Sequence, residues 1–277
     1  MQRHTVVMFS FGTASYCAAK LEVARVGAEN VTLLFADTRY EDEDTYRWGR
    51  AAAKDVGARL VEISDGRDVW QVFRDERMVG NSQKDPCSRI LKRQLCRRWM
   101  TEHYPDPEVC DVAIGIHVEE VNRLPGIVAA WDPWRVRAPL CEEPYLSLRD
   151  MRAMVERAGL WEQRLYREGF PHANCGGRCV KGGHAQWRLL LLRRRESYLE
   201  CEEEEKKMRL FLGKDVTILK DRRGGKTRPM TLREFRERLE KDSADCDLFD
   251  FGACDCFSPQ AVAHPDPEDY SSDRPES

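Results

Sequence analysis

The sequence predicts an α/β protein: an open parallel sheet of about five strands with helices on both faces, then a mainly helical, cysteine-containing C-terminal subdomain. Three observations predict it. Apolar, β-branched runs near 5–10, 31–36, 59–63 and 110–116 alternate with helical patterns near 15–27, 41–57, 88–104 and 147–159. The first two runs end in polar, turn-forming residues. Beyond about residue 160 the alternation gives way to a long helical pattern and clustered cysteines.

The first run and its turn read VVMFSFGTASYCAAK (6–20). A strand that feeds a helix through Ser10-Phe11-Gly12-Thr13-Ala14-Ser15 aims free N–H groups and the positive helix end at one point, which binds phosphate. Hydroxyls of Ser10, Thr13 and Ser15 add donors, and Gly12 permits close backbone approach. Turns of this kind are also rich in Gly and Ser for steric reasons alone. The Gly-Lys-Ser/Thr ending of a Walker loop is absent. The second run, VTLLFADT (31–38), ends in Asp37 and Thr38. In open α/β sheets ligands lie beyond the carboxyl ends of the strands, where both endings fall. Asp37 is equally read as the N-cap of the next helix. RLVEIS (59–64) and CDVAIG (110–115) supply the third and fourth strands, and a fifth lies near 134–140.

Past residue 160 one long helix is expected over 183–212, with RRR and EEEEKK on solvated faces. A short strand (215–219) follows, then a basic turn (220–229) and a helix (231–242) with Thr231 as N-cap and Glu234 completing a capping box. Three units result: 1–160, a nucleotide-binding domain; 161–257, a helical cysteine subdomain; and 258–277, an acidic, Pro- and Ser-rich tail expected to be disordered. The tail carries five acidic residues and one arginine, so the body is about +1 within a net charge of −3.

The 277 residues suffice to bury a full core, and no apolar stretch approaches the roughly 18 residues of a membrane span. With no signal-like h-region after MQRHT, a cytoplasmic protein is expected. Its 11 cysteines then serve as thiols, ligands or catalysts. Cys175 and Cys179 in NCGGRCVKGG and Cys254 and Cys256 in FGACDCF form two pairs. Four thiolates from two loops suit Zn2+ or a 4Fe–4S iron–sulfur cluster. Cys17, Cys110, Cys141, Cys201 and Cys246 read as buried small hydrophobes. Cys87 in DPCSRILKR is either a reactive thiol activated by Arg89, Lys92 and Arg93 or an inert one beside a basic helix start. Lys92 and Arg93 are candidate contacts for phosphate or sulfate. Lys220, Arg222, Arg223, Lys226 and Arg228 could track a nucleic-acid backbone or form plain soluble surface.

Taken together, these residues resemble the PP-loop (adenine nucleotide alpha hydrolase-like) enzymes, specifically the phosphoadenosine-phosphosulfate (PAPS) reductase family. Ser10-Phe11-Gly12 is similar to that family's SFG variant of the loop, and FADT to its second-strand motif. Phe11 and Ala14 stand where the commoner SGGxDS version has a Gly and an Asp. DPCSRILKR (85–93), GIHVEEVNRLPG (115–126), APL with PYLSLRDM (138–151) and GFPHANCGGRC (169–179) follow the family's order, so the resemblance covers about residues 4–180 and the Cys pair near 255.

The resemblance implies a Rossmann-like sheet in the order 3-2-1-4-5 and an adenine nucleotide, ATP or PAPS. Its phosphates would sit on Ser10, Phe11, Gly12, Thr13 and Ser15, with Asp37 and Thr38 near adenosine or Mg2+. Arg123 matches a nucleotide-contacting Arg, whereas His117 stands where another Arg is usual. Cys87 falls where cluster-bearing relatives place a cluster cysteine, and it could also be a persulfide-carrying or resolving thiol. The leading expectation is ATP-dependent adenylation of an acceptor coupled to sulfur transfer assisted by the Cys-ligated metal centre, the acceptor being a nucleic acid or a small molecule and the sulfur coming from a separate donor. The alternative is sulfonucleotide reduction served by a thioredoxin-like reductant. Reductases carry Glu-Cys-Gly-x-His near the C-terminus, and this chain has Ala-Cys-Asp-Cys-Phe (253–257). A third reading is a non-catalytic, nucleotide-binding zinc adaptor. Oligomeric state is left open.

Overall fold

A computed structural model describes residues 3–143 and 145–241. Five parallel strands form the main sheet: β1 (His4–Met8), β2 (Val31–Asp37), β3 (Arg59–Ser64), β4 (Cys110–Ile114) and β5 (Arg135–Arg137). Their order is β3-β2-β1-β4-β5, as the resemblance implied. β1, β2 and β4 are covered on both faces, which is why they read as continuous apolar runs. β3 and β5 are the edges.

Alternate side chains along β1 and Phe9, the residue after it, feed two cores. Val7 and Phe9 join Leu33 and Phe35 of β2 under α1 (Thr13–Val26), α2 (Glu43–Val56) and Met151 and Val155. Val6 and Met8 join Leu34, Val112 and Ile114 on the other face, against Leu95, Met100, Ile127 and Trp131. This two-residue period is what a strand between two helical layers requires.

The expected helix at 88–104 is a continuous run: α4 (Pro86–Ser88), a π-helical turn Arg89–Gln94, and α5 (Leu95–His103). Before it lies α3 (Val69–Asp75), whose apolar face carried no strong sequence signal; after β4 come α6 (Leu124–Trp131), α7 (Leu148–Arg157) and the short α8 (Arg164–Arg167).

The single helix expected over 183–212 is two, α9 (His184–Arg193) and α10 (Arg195–Leu212). Arg194 interrupts them with a non-helical backbone (φ −144°, ψ 60°). Its guanidinium holds Glu168 at 2.6 Å and Asp42, the N-cap of α2. Two ion pairs to other elements thus outweigh local helix propensity.

The expected strand at 215–219 begins only at Leu219: β6 (Leu219–Asp221) pairs antiparallel with β7 (Arg228–Met230). The Ile218 N–H is instead taken by the Glu205 carboxylate at 2.8 Å. α11 (Leu232–Lys241) follows, and Thr231 caps it by accepting from Glu234 N at 3.0 Å. The carboxylate of Glu234 goes to Arg228 and Arg238.

A third core packs Val69, Trp70, Phe73, Cys87 and Leu91 against Leu165, Phe170, Trp187, Tyr198, Met208 and Phe235. Packing therefore runs across residue 160. Residues 242–277, with the tail and Cys246, Cys254 and Cys256, lie outside the described residues. Among the described residues no helix is long and apolar enough to cross a membrane.

Candidate functional site

Strand order reverses between β1 and β4, so the crevice beyond their carboxyl ends is where an open α/β sheet places a ligand. The β1–α1 turn sits there. Phe11 bends it by taking a left-handed backbone (φ 59°), which sends its ring into the core. The ring stacks on Phe35 at 3.6 Å between centroids and meets Phe9 edge-on. Gly49 makes the space, because a Cβ there would fall 2.0 Å from the Phe11 ring. So Phe11 anchors the turn, while its backbone carbonyl is held by the buried Gln163 amide.

Ser15 ties the turn together. Its hydroxyl donates to Gly12 O at 2.9 Å and accepts from Gly12 N at 3.2 Å, with Ser10 Oγ 3.3 Å away. A Cβ on Gly115, at the end of β4, would meet Ser15 backbone at 2.7 Å, so the missing side chain lets the start of α1 lie on the sheet edge. Ser10, Gly12 and Thr13 remain partly exposed at the helix N-terminus, where first-turn N–H groups lack intrahelical acceptors. A Cβ on Gly12 would lie 3.7 Å from both Ser10 Oγ and Tyr166 Oη.

The ends of β2 and α4 meet beside this turn. Asp37 accepts from Arg39 N at 2.8 Å and from the Tyr46 hydroxyl. It is not the N-cap of α2; Asp42 is, accepting from Asp44 N at 2.9 Å. Burial works to raise the Asp42 carboxyl, and Arg194 and Arg164 overcome it to hold the pKa below the usual range. Thr38 donates to Glu41 at 3.2 Å. Glu41 also accepts from Lys92 Nζ at 3.2 Å and, through its other oxygen, from Cys175 N. Thr38, Lys92 and Cys175 are thus gathered on one carboxylate. Arg93 grips Asp85 with two bonds of 3.2 Å, and Lys181 stands 3.7 Å from the same carboxylate.

Cys87 lies in this cluster, and each of the cations expected to activate it is engaged by a carboxylate. Arg89 pairs with Glu76, Arg93 with Asp85 and Lys92 with Glu41. Burial, with the adjacent Cys175 and Asp85, pushes the Cys87 thiol up to about 12, and Lys92 opposes this only weakly. Cys175 opens a run of left-handed residues (φ 52°, then Gly176 at 60° and Gly177 at 82°). Such a conformation costs an L-residue about 1–2 kcal/mol, of the order of what its hydrogen bond to a carboxylate returns. Arg178 lies over the Tyr40 ring at 3.9 Å.

Cys175 and Cys179 are two of the four thiolates expected to hold a metal; Cys254 and Cys256 lie outside the described residues. Among the described residues no group of three His, Cys, Asp or Glu side chains is arranged as ligands. His184 is turned to Lys220 O at 2.9 Å and packs on Phe235. Arg123 pairs with Glu120 on the segment after β4, where His117 bonds Leu146 O at 2.8 Å. Two cations of the basic turn, Arg223 and Arg228, are paired with Asp221. Asp221 accepts from Arg223 N, Arg228 and Arg238 at 2.9–3.1 Å, and these donors hold its carboxyl at about 2 against the opposing effect of burial.

Glu41, Asp85, Gln163 and Tyr166 were not singled out in the sequence. Glu41 sits in the run EDED, where a charge reads as solvated surface; only its burial, with the side chain 4% exposed, reveals a different use.

No family model matches the chain, and no curated protein matches it. Among solved structures it is similar to a crystal structure of phosphoadenylyl-sulfate (PAPS) reductase from Candida auris in a phosphate complex. Identity is 18%, coverage is 62% of this chain and 79% of that one, and the TM-score is 0.43.

Proposed function

We propose that the chain is a PP-loop enzyme of sulfur chemistry that binds an adenine nucleotide on the β1–α1 turn and activates an acceptor with ATP. The observation that carries this reading is the turn's place at the reversal of strand order, beside a carboxylate that gathers a lysine and a thiol-bearing loop. The α1 N-terminus with Ser10, Gly12, Thr13 and Ser15 would hold phosphates by backbone N–H groups and hydroxyls. Lys92 and Arg93 would add positive charge, each first released from its present carboxylate. Asp37 and Thr38 supply the oxygen donors at the end of β2 for ribose or for a Mg2+ that accompanies the phosphates.

In this chemistry an acceptor oxygen attacks the α-phosphorus and the bond to pyrophosphate breaks; sulfur then attacks the activated carbon and AMP leaves. The acceptor is a nucleic acid or a small molecule. Cys175, whose loop Glu41 holds beside Lys92, would carry sulfur from a donor as a persulfide. Its terminal sulfur attacks the activated carbon, and a second thiol cleaves the acceptor–S–S–Cys175 link, leaving a protein disulfide for an external thiol to reduce. Cys175 and Cys179 would supply two thiolates of a zinc or iron–sulfur site, with Cys254 and Cys256 as the other pair, and such a group would hold the cysteine loop or assist sulfur transfer.

Calorimetry of anaerobically purified protein with ATP–Mg2+ and with PAPS tests the reading. Preference for ATP is expected. Preference for PAPS replaces it with sulfonucleotide reduction, in which a thiol takes the sulfur and sulfite is released to a thioredoxin-like reductant. Binding of neither removes the nucleotide site.

A further inference from the structure

We infer that Glu41 is a positioning residue, whose carboxylate fixes the Lys92 ammonium and the Cys175 loop relative to each other so that cation and thiol address one anionic substrate. Oε1 accepts from Thr38 Oγ1 and from Lys92 Nζ, both at 3.2 Å, and Oε2 accepts from Cys175 N. Three segments distant in sequence end on this one group: the β2–α2 connection, the π-helical turn and the glycine-rich cysteine loop. The Glu41 and Lys92 side chains are 4% and 6% exposed.

Charges so buried lose hydration, and an apolar pair of similar size commonly serves stability as well or better. What an apolar pair lacks is direction. The carboxylate sets where the ammonium points, and its second oxygen sets where the Cys175 backbone stands, in a left-handed conformation unusual for a residue with a side chain. Lys92 is also the cation that a bound phosphate or sulfate would compete for. When an anion draws on that ammonium, the charge on Glu41 is less compensated and its hold on Cys175 N changes. Occupancy of the anion site is thereby communicated to the thiol loop through one residue.

This ligand-linked behaviour rests on the nucleotide reading above, whereas the hold of Glu41 on the Cys175 loop does not. The full chain and Glu41→Gln are compared by timed alkylation with iodoacetamide and tryptic peptide mapping. Cleavage after Arg178 separates Cys175 from Cys179, and Cys17, wholly buried in another core, reports general unfolding. A glutamine cannot accept from both sides, so without ligand Cys175 should react about tenfold faster, as expected for losing one hydrogen bond to a charged group, with Cys17 unchanged. In the wild type, saturating ATP–Mg2+ or PAPS should alter the Cys175 rate, and in Glu41→Gln that response should vanish.

An unchanged Cys175 rate in the ligand-free variant overturns the inference. So does equal acceleration of Cys175 and Cys17, which makes Glu41 a general determinant of folding, and so does a ligand response that survives in Glu41→Gln. If calorimetry shows that the wild type binds neither nucleotide, the functional reading fails by itself, and the ligand-free comparison still decides the role of Glu41.

Discussion

Phe11 and the absent side chains of Gly49 and Gly115 define the candidate site at the residue scale. Phe11 occupies a left-handed backbone because its ring is buried between Phe9 and Phe35 over Gly49. Gly49→Ala places a methyl within 2.0 Å of that ring. Overpacking of this kind costs about 3 kcal/mol, so the urea midpoint should fall accordingly. Gly115→Ala pushes instead on Ser15 backbone at the start of α1. It should weaken nucleotide affinity about tenfold by calorimetry, and unchanged affinity would remove the α1 N-terminus from the site. The Cys87 thiol, pushed up to about 12, should alkylate negligibly at pH 7.5 in the native protein. Rapid labelling there would restore it as a candidate nucleophile. The strand-to-helix turn carrying Ser10, Gly12 and Ser15 was legible because strand, glycine and hydroxyls are adjacent in sequence. That the cations beside Cys87 are taken by carboxylates was not legible, since Arg89, Lys92 and Arg93 look alike until Glu76, Glu41 and Asp85 are known as their partners.

At the scale of elements, what was legible depended on local signals. Thr231 caps α11 as its sequence neighbourhood predicts, because that bond spans three residues. The break at Arg194 and the late start of β6 come from distant partners, Asp42 and Glu168 in one case and Glu205 in the other. Glu205 joins α10 to two segments by accepting from Ile218 N at 2.8 Å and Leu232 N at 2.7 Å. Burial pushes its carboxyl up to about 7, although both N–H groups oppose that rise. A carboxyl whose pKa is higher folded than unfolded stabilises the protein most at low pH, where both states are protonated. That contribution, about 3 kcal/mol, is lost as pH rises from near 4.5 to about 7. Glu205→Gln should flatten this dependence in urea midpoints taken at pH 5 and pH 8. A variant whose dependence matches the wild type would assign the titration elsewhere. Asp221 titrates outside this window, since its carboxyl is held at about 2.

For the whole molecule, the third core decides what can fold alone. Val69, Trp70, Phe73 and Leu91 pack on Leu165, Phe170, Trp187 and Leu190. Exposing a large apolar side chain costs about 1.5–3 kcal/mol, and several lost together consume a typical domain's stability of about 5–15 kcal/mol. The fragment 1–160 should therefore aggregate or unfold without cooperativity, and a sharp unfolding transition for it by circular dichroism would show that the core is divisible. The alternation of apolar runs with helical patterns determined the α/β class and the strands of the sheet, because periodicity is local and burial on two faces leaves continuous apolar stretches. Tertiary structure decided which charges are buried and against whom. Glu41, Lys92 and Cys175 are 51 and 83 residues apart along the chain, and only the folded sheet edge brings them onto one carboxylate. A charge in sequence looks the same whether water or a lysine solvates it, so the residue that joins the two halves of the site became visible only once its surroundings were known.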